Sequence, residues 1–162
     1  MSMKLGWRVI GLVLSGTQVS FAQTFDFKGI VLGSEIDTKV LEEQHQIACS
    51  YTERTKRSIC TGKTTFLGMD ANLTVSVRDV VDNQGLVQSI DVFYQTSTVW
   101  PKDVAAELSK KFGPPKRQRH NMIFEWENPE RHLAYLEHSR FAMKIPPVVK
   151  KQETPKINKK DL

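Results

Sequence analysis

The chain has 162 residues, of which 40% are hydrophobic, 25% charged and 9% aromatic, a composition for one globular domain rather than a disordered or fibrous chain. Two cysteines exclude a disulfide-dense miniprotein and a four-cysteine zinc site. The length and the lack of glycine-rich motifs exclude a dinucleotide-binding unit, a barrel enzyme or a kinase, and the net charge of +5 resides in the two ends of the chain.

Met1–Arg8 carries Lys4 and Arg8 without an acid, and Val9–Val19 is a short apolar run. Ser20-Phe21-Ala22 then places small residues where a signal peptidase reads. Residues 1–22 therefore read as a signal peptide, with an apolar run too short to span a bilayer. A buried first helix is the competing reading, but Gly16, Thr17, Gln18 and Ser20 interrupt any apolar face. The expected mature protein begins near Gln23 and is periplasmic or secreted. An oxidising compartment favours a disulfide between Cys49 and Cys60. The Cys-X-X-Cys spacing of a redox-active pair is absent, so a structural bridge is expected.

A short strand is predicted around Phe25–Ile30. Gly33-Ser34 reads as a helix start with Ser34 as its cap, and Ile36, Val40 and Leu41 supply an apolar face up to about His45. Ile47–Tyr51 and Ser58–Cys60 read as strands, the second extended by Thr64–Leu67. Asn72–Val81 and Leu86–Gln95 form a hairpin across Asp82-Asn83-Gln84-Gly85. Pairing Asp82 with Gly85 sets Leu73 against Tyr94, Val75 against Val92 and Val77 against Ile90 on one apolar face. The other face then carries Thr74, Arg78, Val80, Val87, Asp91 and Phe93.

Pro101 opens a second helix, with Val104, Ala105, Leu108 and Phe112 as its stripe and Gly113-Pro114-Pro115 as its stop. Arg117–Glu127 and Arg131–Glu137 form another hairpin around Asn128-Pro129, with Glu127 paired to Glu130, Phe124 to Leu133 and Glu125 facing His132. A last strand covers Arg140–Ile145. Residues 146–162 read as a flexible tail rich in proline and lysine, in which Lys150, Lys151, Lys156, Lys159 and Lys160 face only Glu153 and Asp161. Residues 23–145 thus form a single α+β domain. Its antiparallel sheet has two helices packed on one face, in two loosely similar helix-plus-strands halves.

Phe27-Lys28-Gly29-Ile30-Val31-Leu32-Gly33, the Cys49/Cys60 pair, Leu108-Ser109-Lys110-Lys111-Phe112-Gly113-Pro114-Pro115 and Trp126 together resemble small exported bacterial proteins of unknown function. The architecture of those proteins looks like that of the beta-lactamase inhibitory proteins, with tandem helix-plus-sheet units. The resemblance covers about Phe25–Ile145 in layout, with residue matches in these short motifs, and implies an exported protein. One cysteine pair leaves no place for that family's second disulfide, and no inhibitory contact residue carries over. A beta-lactamase target is not implied.

Motifs for catalysis are missing. Thr61-Gly62-Lys63-Thr64 fails as a phosphate loop because Arg57 stands where the first glycine belongs. There is no Gly-X-Ser-X-Gly elbow, no His-Glu-X-X-His and no calcium loop, and no cofactor is expected. Glu125, His132 and His138 are the candidates for a hydrolase or metal-dependent enzyme. Lys110, Lys111, Lys116, Arg117 and Arg119 form a basic patch, read either as helix-end charges or as a contact for an acidic partner. The near-neutral body and the missing recognition motifs speak against nucleic acid, while the tail offers a peripheral contact with anionic surfaces. The expected function is binding of a protein or cell-envelope component through the sheet face around Phe93. Thr74, Arg78, Val80, Val87 and Asp91 are expected around that aromatic anchor.

Overall fold

The computed structural model describes residues 24–95 and 99–147. Residues 1–22, expected to be a signal peptide, and the tail beyond Pro147 lie outside them. In place of one early strand the chain makes a small hairpin, β1 (Asp26–Phe27) and β2 (Ile30–Val31), turned by Lys28 and Gly29 at φ 49° and 85°. Phe25, Phe27, Ile30 and Leu32 are all buried, so the hairpin presses its apolar residues onto the core. The first helix also starts later than expected. Ser34 is not its cap: the hydroxyl donates to the Val31 carbonyl at 2.8 Å, and β3 (Glu35–Asp37) pairs with a strand of the main sheet. Asp37 caps α1 (Thr38–His45) instead, its carboxylate accepting the Lys39 N–H at 2.8 Å. Leu41 is buried, whereas Val40, expected on the apolar face, is exposed.

An antiparallel meander follows: β4 (Ala48–Thr52), β5 (Arg57–Phe66), β6 (Met69–Val81) and β7 (Gln84–Tyr94). Cys49 and Cys60 stand directly opposite each other on β4 and β5 and are joined by a disulfide. Between β6 and β7 the turn is Asp82-Asn83, both in the left-handed region at φ 49° and 68°, with Val81 opposite Gln84. The expected pairing of Asp82 with Gly85 is therefore replaced by one displaced by two residues, with Leu73 opposite Val92 and Val75 opposite Ile90. A shift of two keeps every side chain on its expected face. Two irregularities do not. Gln88 is an extra residue on β7, and Asp79 and Val80 together face one residue of the partner strand, with Asp79 at φ 55°. Each inserts one residue and reverses the alternation beyond it, so Val80 and Val87 turn into the core, 5% and 0% exposed, instead of lying beside Phe93. Gly85 serves this packing rather than the turn. A Cβ there would lie 2.7 Å from Val77 Cγ1 and 2.8 Å from the Arg78 carbonyl oxygen.

The second half repeats the plan. Helix α2 (Pro101–Phe112) buries Val104, Ala105, Leu108 and Phe112, as its spacing requires. The strands β8 (Arg117–Arg119), β9 (Ile123–Glu127), β10 (Leu133–Glu137) and β11 (Arg140–Lys144) form a second meander. The β9–β10 register corrects the expected one. Glu127 pairs with Leu133 and Phe124 with Leu136, because the connection runs through Asn128–His132. Buried Asn128 closes that loop, its side-chain oxygen accepting the His132 N–H at 2.9 Å and its own N–H donating to the His132 carbonyl at 3.1 Å. The change is odd in number, so Ala134 and Leu136 face the core while Leu133 and Tyr135 face outward.

The fold is α+β, a large antiparallel sheet in the order β4-β5-β6-β7-β11-β10-β9-β8, with β3 beside the far end of β7. Each half is a helix followed by a four-strand meander, and the halves meet through their last strands, β7 and β11. Leu41 of α1 and Val104, Leu108 and Phe112 of α2 belong to one buried cluster. Phe112 packs on Phe25, Trp126 and Phe141, and Phe141 stacks on Phe66. The Trp126 indole N–H donates to the Gly113 carbonyl at 2.9 Å, fixing the end of α2 to the sheet.

Two stability measurements check this packing. Gly85→Ala is expected to lower the unfolding free energy by about 1–3 kcal/mol in urea titration, the usual cost of overpacking. Removing the cross-link with Cys49→Ala/Cys60→Ala is expected to lower it by about 2–3 kcal/mol, from the freedom restored to the unfolded chain. A neutral Gly85→Ala would contradict the close approach of β6 to β7.

Candidate functional site: the open face of the sheet

Because side chains alternate along a strand, the register fixes which residues share the face opposite the helices. One row across the sheet holds Thr74, Asp91, Ala142, Tyr135, Glu125 and Arg117. The next holds Asn72, Phe93, Arg140, Glu137, Ile123 and Arg119. A third holds Ser76, Ser89, Lys144, Leu133 and Glu127.

Arg140 organises the centre. Its Nε donates to Asp91 Oδ1 at 2.9 Å, and a second guanidinium nitrogen reaches the same oxygen. The guanidinium carbon lies 5.3 Å from the ring centres of both Phe93 and Tyr135, and Lys144 Nζ lies 5.1 Å from Tyr135. Two aromatic faces and two cations thus alternate across β7, β11 and β10. Ala142 lies between Asp91 and Tyr135 across the sheet and between Arg140 and Lys144 along its strand, and is 1% exposed. Burial alone would lower the Arg140 pKa, but the hydrogen bond and charge of Asp91 outweigh it and hold the guanidinium more firmly protonated. Burial raises the Tyr135 phenol, with Arg140 acting against it. Phe93 remains 43% exposed at the edge of this cluster.

The predicted residues separate into those that meet here and those that do not. Phe93, Asp91 and Thr74 do. Arg78 is on the same face but level with Leu86, seven residues along β7 from Phe93 and so roughly 20 Å away. Its place beside Phe93 is taken by Arg140. Val80 and Val87 are in the core. The five basic residues are divided between α2 and the β8 edge, and four have acidic partners. Lys110 pairs with Glu107 at 2.7 Å, Lys111 with Asp26 at 2.8 Å, Lys116 with Glu127 at 2.9 Å and Arg117 with Glu125 at 3.6 Å. The Lys116 hydrogen bond holds the Glu127 carboxyl below its usual range. Arg119 has no acidic partner among the described residues.

Glu125, His132 and His138 do not converge. Glu125 lies opposite Tyr135, not His132. His132 and His138 flank β10 at its two ends, about 20 Å apart at strand rise. Among the described residues no group of three or more His, Cys, Asp or Glu side chains is placed to hold a metal ion. A groove of about 400 Å³ opens on the sheet face over Ile123, Leu133 and Tyr135, rimmed by Arg117, Arg119 and Lys144 with Glu125 and Glu137. A second cavity, about 520 Å³, lies beside the disulfide between α1 and the β6–β7 turn.

No family model, curated protein or solved structure matches the chain. Arg140 and Lys144 were legible as outward residues, since Phe141 and Met143 point inward on the same strand. Tyr135 was not, because its side depends on the Asn128 loop.

Phe93→Ala is expected to change unfolding stability by less than about 1 kcal/mol, and Val87→Ala to lower it by roughly 2 kcal/mol or more, the reverse of what a shared outward face requires. The buried Tyr94 phenol donates to the His138 carbonyl at 2.9 Å, and burial pushes its pKa up to about 12. Between pH 10 and 12 the unfolded chain releases this proton while the folded chain keeps it, so stability falls as pH rises through that interval. Absorbance titration should find one tyrosine ionising near pH 12, and Tyr94→Phe should flatten the alkaline loss of stability.

Proposed function

We propose that the protein is an exported, non-enzymatic binding module that holds a protein or cell-envelope component against its open sheet face. The observation that carries this reading is the Phe93–Arg140–Tyr135 cluster. A pre-ordered, part-exposed aromatic anchor beside a fixed guanidinium is the kind of side-chain group that dominates protein interfaces. Both helices lie on the opposite face, leaving the cluster uncovered by any described element. Export is supported by the leader-like composition of residues 1–22 and by the Cys49–Cys60 disulfide. No helix among the described residues is long and apolar enough to cross a membrane. Inhibition of an extracytoplasmic enzyme is one form such a module takes, in keeping with the tandem helix-plus-meander layout. Assembly of an envelope complex is another. The separation of Glu125, His132 and His138 speaks against the hydrolase alternative.

Capture from an envelope extract tests the reading. Oxidised protein beginning at Gln23 should retain a species whose affinity falls about 30-fold, some 2 kcal/mol, with Phe93→Ala or Tyr135→Ala. Lys102→Ala on the helix layer should leave retention unchanged. Retention indifferent to both open-face substitutions, or abolished by the helix-layer one, would contradict it.

A further inference from the structure

The two edges of the sheet are treated differently. At one edge, β4 has no charged side chain in Ala48–Thr52, and the Cys49 N–H donates to the Glu42 carboxylate at 2.7 Å. A side chain thus occupies a backbone donor that an added strand would need. At the other edge, β8 pairs among the described residues only with β9. Its three residues are all exposed, and Arg117 and Arg119 stand two apart, on the same face of the sheet. Arg117 reaches Glu125 only at 3.6 Å, and Arg119 meets no acid among the described residues. The apolar groove over Ile123 and Tyr135 lies immediately inside this pair.

We propose that β8 accepts an extended acidic segment of a partner protein as an additional antiparallel strand, with a carboxylate at every second residue. Strand addition supplies affinity through main-chain hydrogen bonds, and alternate side chains supply selection. A strand placed about 4.8 Å outside β8 brings side chains at alternate positions beside Arg117 and Arg119. The same two cations repel a second copy of β8, so the edge selects an acidic strand over self-association. The proposal rests on the reading of the protein as a binding module and names the chemistry of one part of its partner.

The probe is a synthetic blocked heptapeptide alternating glutamate and valine, titrated into the oxidised protein at low salt and again at physiological salt. Binding is expected to weaken with salt and to slow amide hydrogen exchange at residues 117–119. It should fall at least about tenfold in the Arg117→Gln/Arg119→Gln variant, which alters only exposed side chains. A peptide of equal charge, N-methylated on the amides that face β8, should not bind. Equal binding of the methylated peptide would reduce the contact to charge alone and overturn the proposal. So would no binding of the unmodified peptide, binding indifferent to the two arginines, or exchange protection confined to other strands. Failure of the peptide alongside Phe93-dependent capture of an envelope species overturns the edge proposal alone. Failure of both removes the binding reading as well.

Discussion

The pairing of β7 with β11 holds this molecule together. Five successive residue pairs, from Ser89 with Lys144 to Phe93 with Arg140, join two four-strand meanders into one sheet. On the inner side of the seam Ile90, Val92, Phe141 and Met143 are buried, and they carry the aromatic layer formed by Phe66, Phe112 and Trp126. On the outer side the same strands present Asp91, Phe93, Arg140 and Lys144. The contact that completes the fold therefore also assembles the candidate site. A change that loosened the seam would disperse both.

That double role explains the rigidity of the outer cluster. Arg140 is held by Asp91 from the neighbouring strand and by ring faces on either side, so little of its conformational freedom is left to lose on binding. Ala142 permits this arrangement by its size, because a larger side chain would stand between Arg140, Asp91 and Tyr135. The disulfide acts far from the seam, tying β4 to β5 at the edge of the first meander, where exposed residues give little apolar burial. Backbone irregularities do comparable work. The residues gained at Gln88 and at Asp79–Val80 bend the long hairpin and send Val80 and Val87 inward under Gly85.

The amino-acid pattern made much of this legible. The alternation of Leu73, Val75, Val92 and Ile90 marked the central hairpin, and Pro101 with Gly113 bracketed α2 closely. The outward position of Phe93 and Asp91 was also readable, because the actual register differs from the expected one by an even number of residues. Errors arose where local chemistry competes with simple periodicity. Ser34 has the composition of a cap, yet Glu35, Ile36 and Asp37 pair with β7 as a strand and Asp37 caps the helix. Val80 and Val87 could not be placed by alternation, since each lies beyond an inserted residue. Tyr135 was hidden by the Asn128 side chain, which closes a longer loop than Asn-Pro suggested. The assembly of Arg140 with Phe93 and Tyr135 needed the β7–β11 pairing, a contact between residues far apart in sequence.

Among the described residues, one face of this sheet is packed and the other is free. Hydroxyl-radical footprinting of the full-length oxidised protein tests it most directly, because Phe93 and Phe141 are chemically identical residues on opposite sides of adjacent strands. At 43% and 1% exposure they should label very differently, Phe93 quickly and Phe141 only after unfolding. Protection of Phe93 to the level of Phe141 would mean that something in the full-length chain covers the face, so that it is not free to bind.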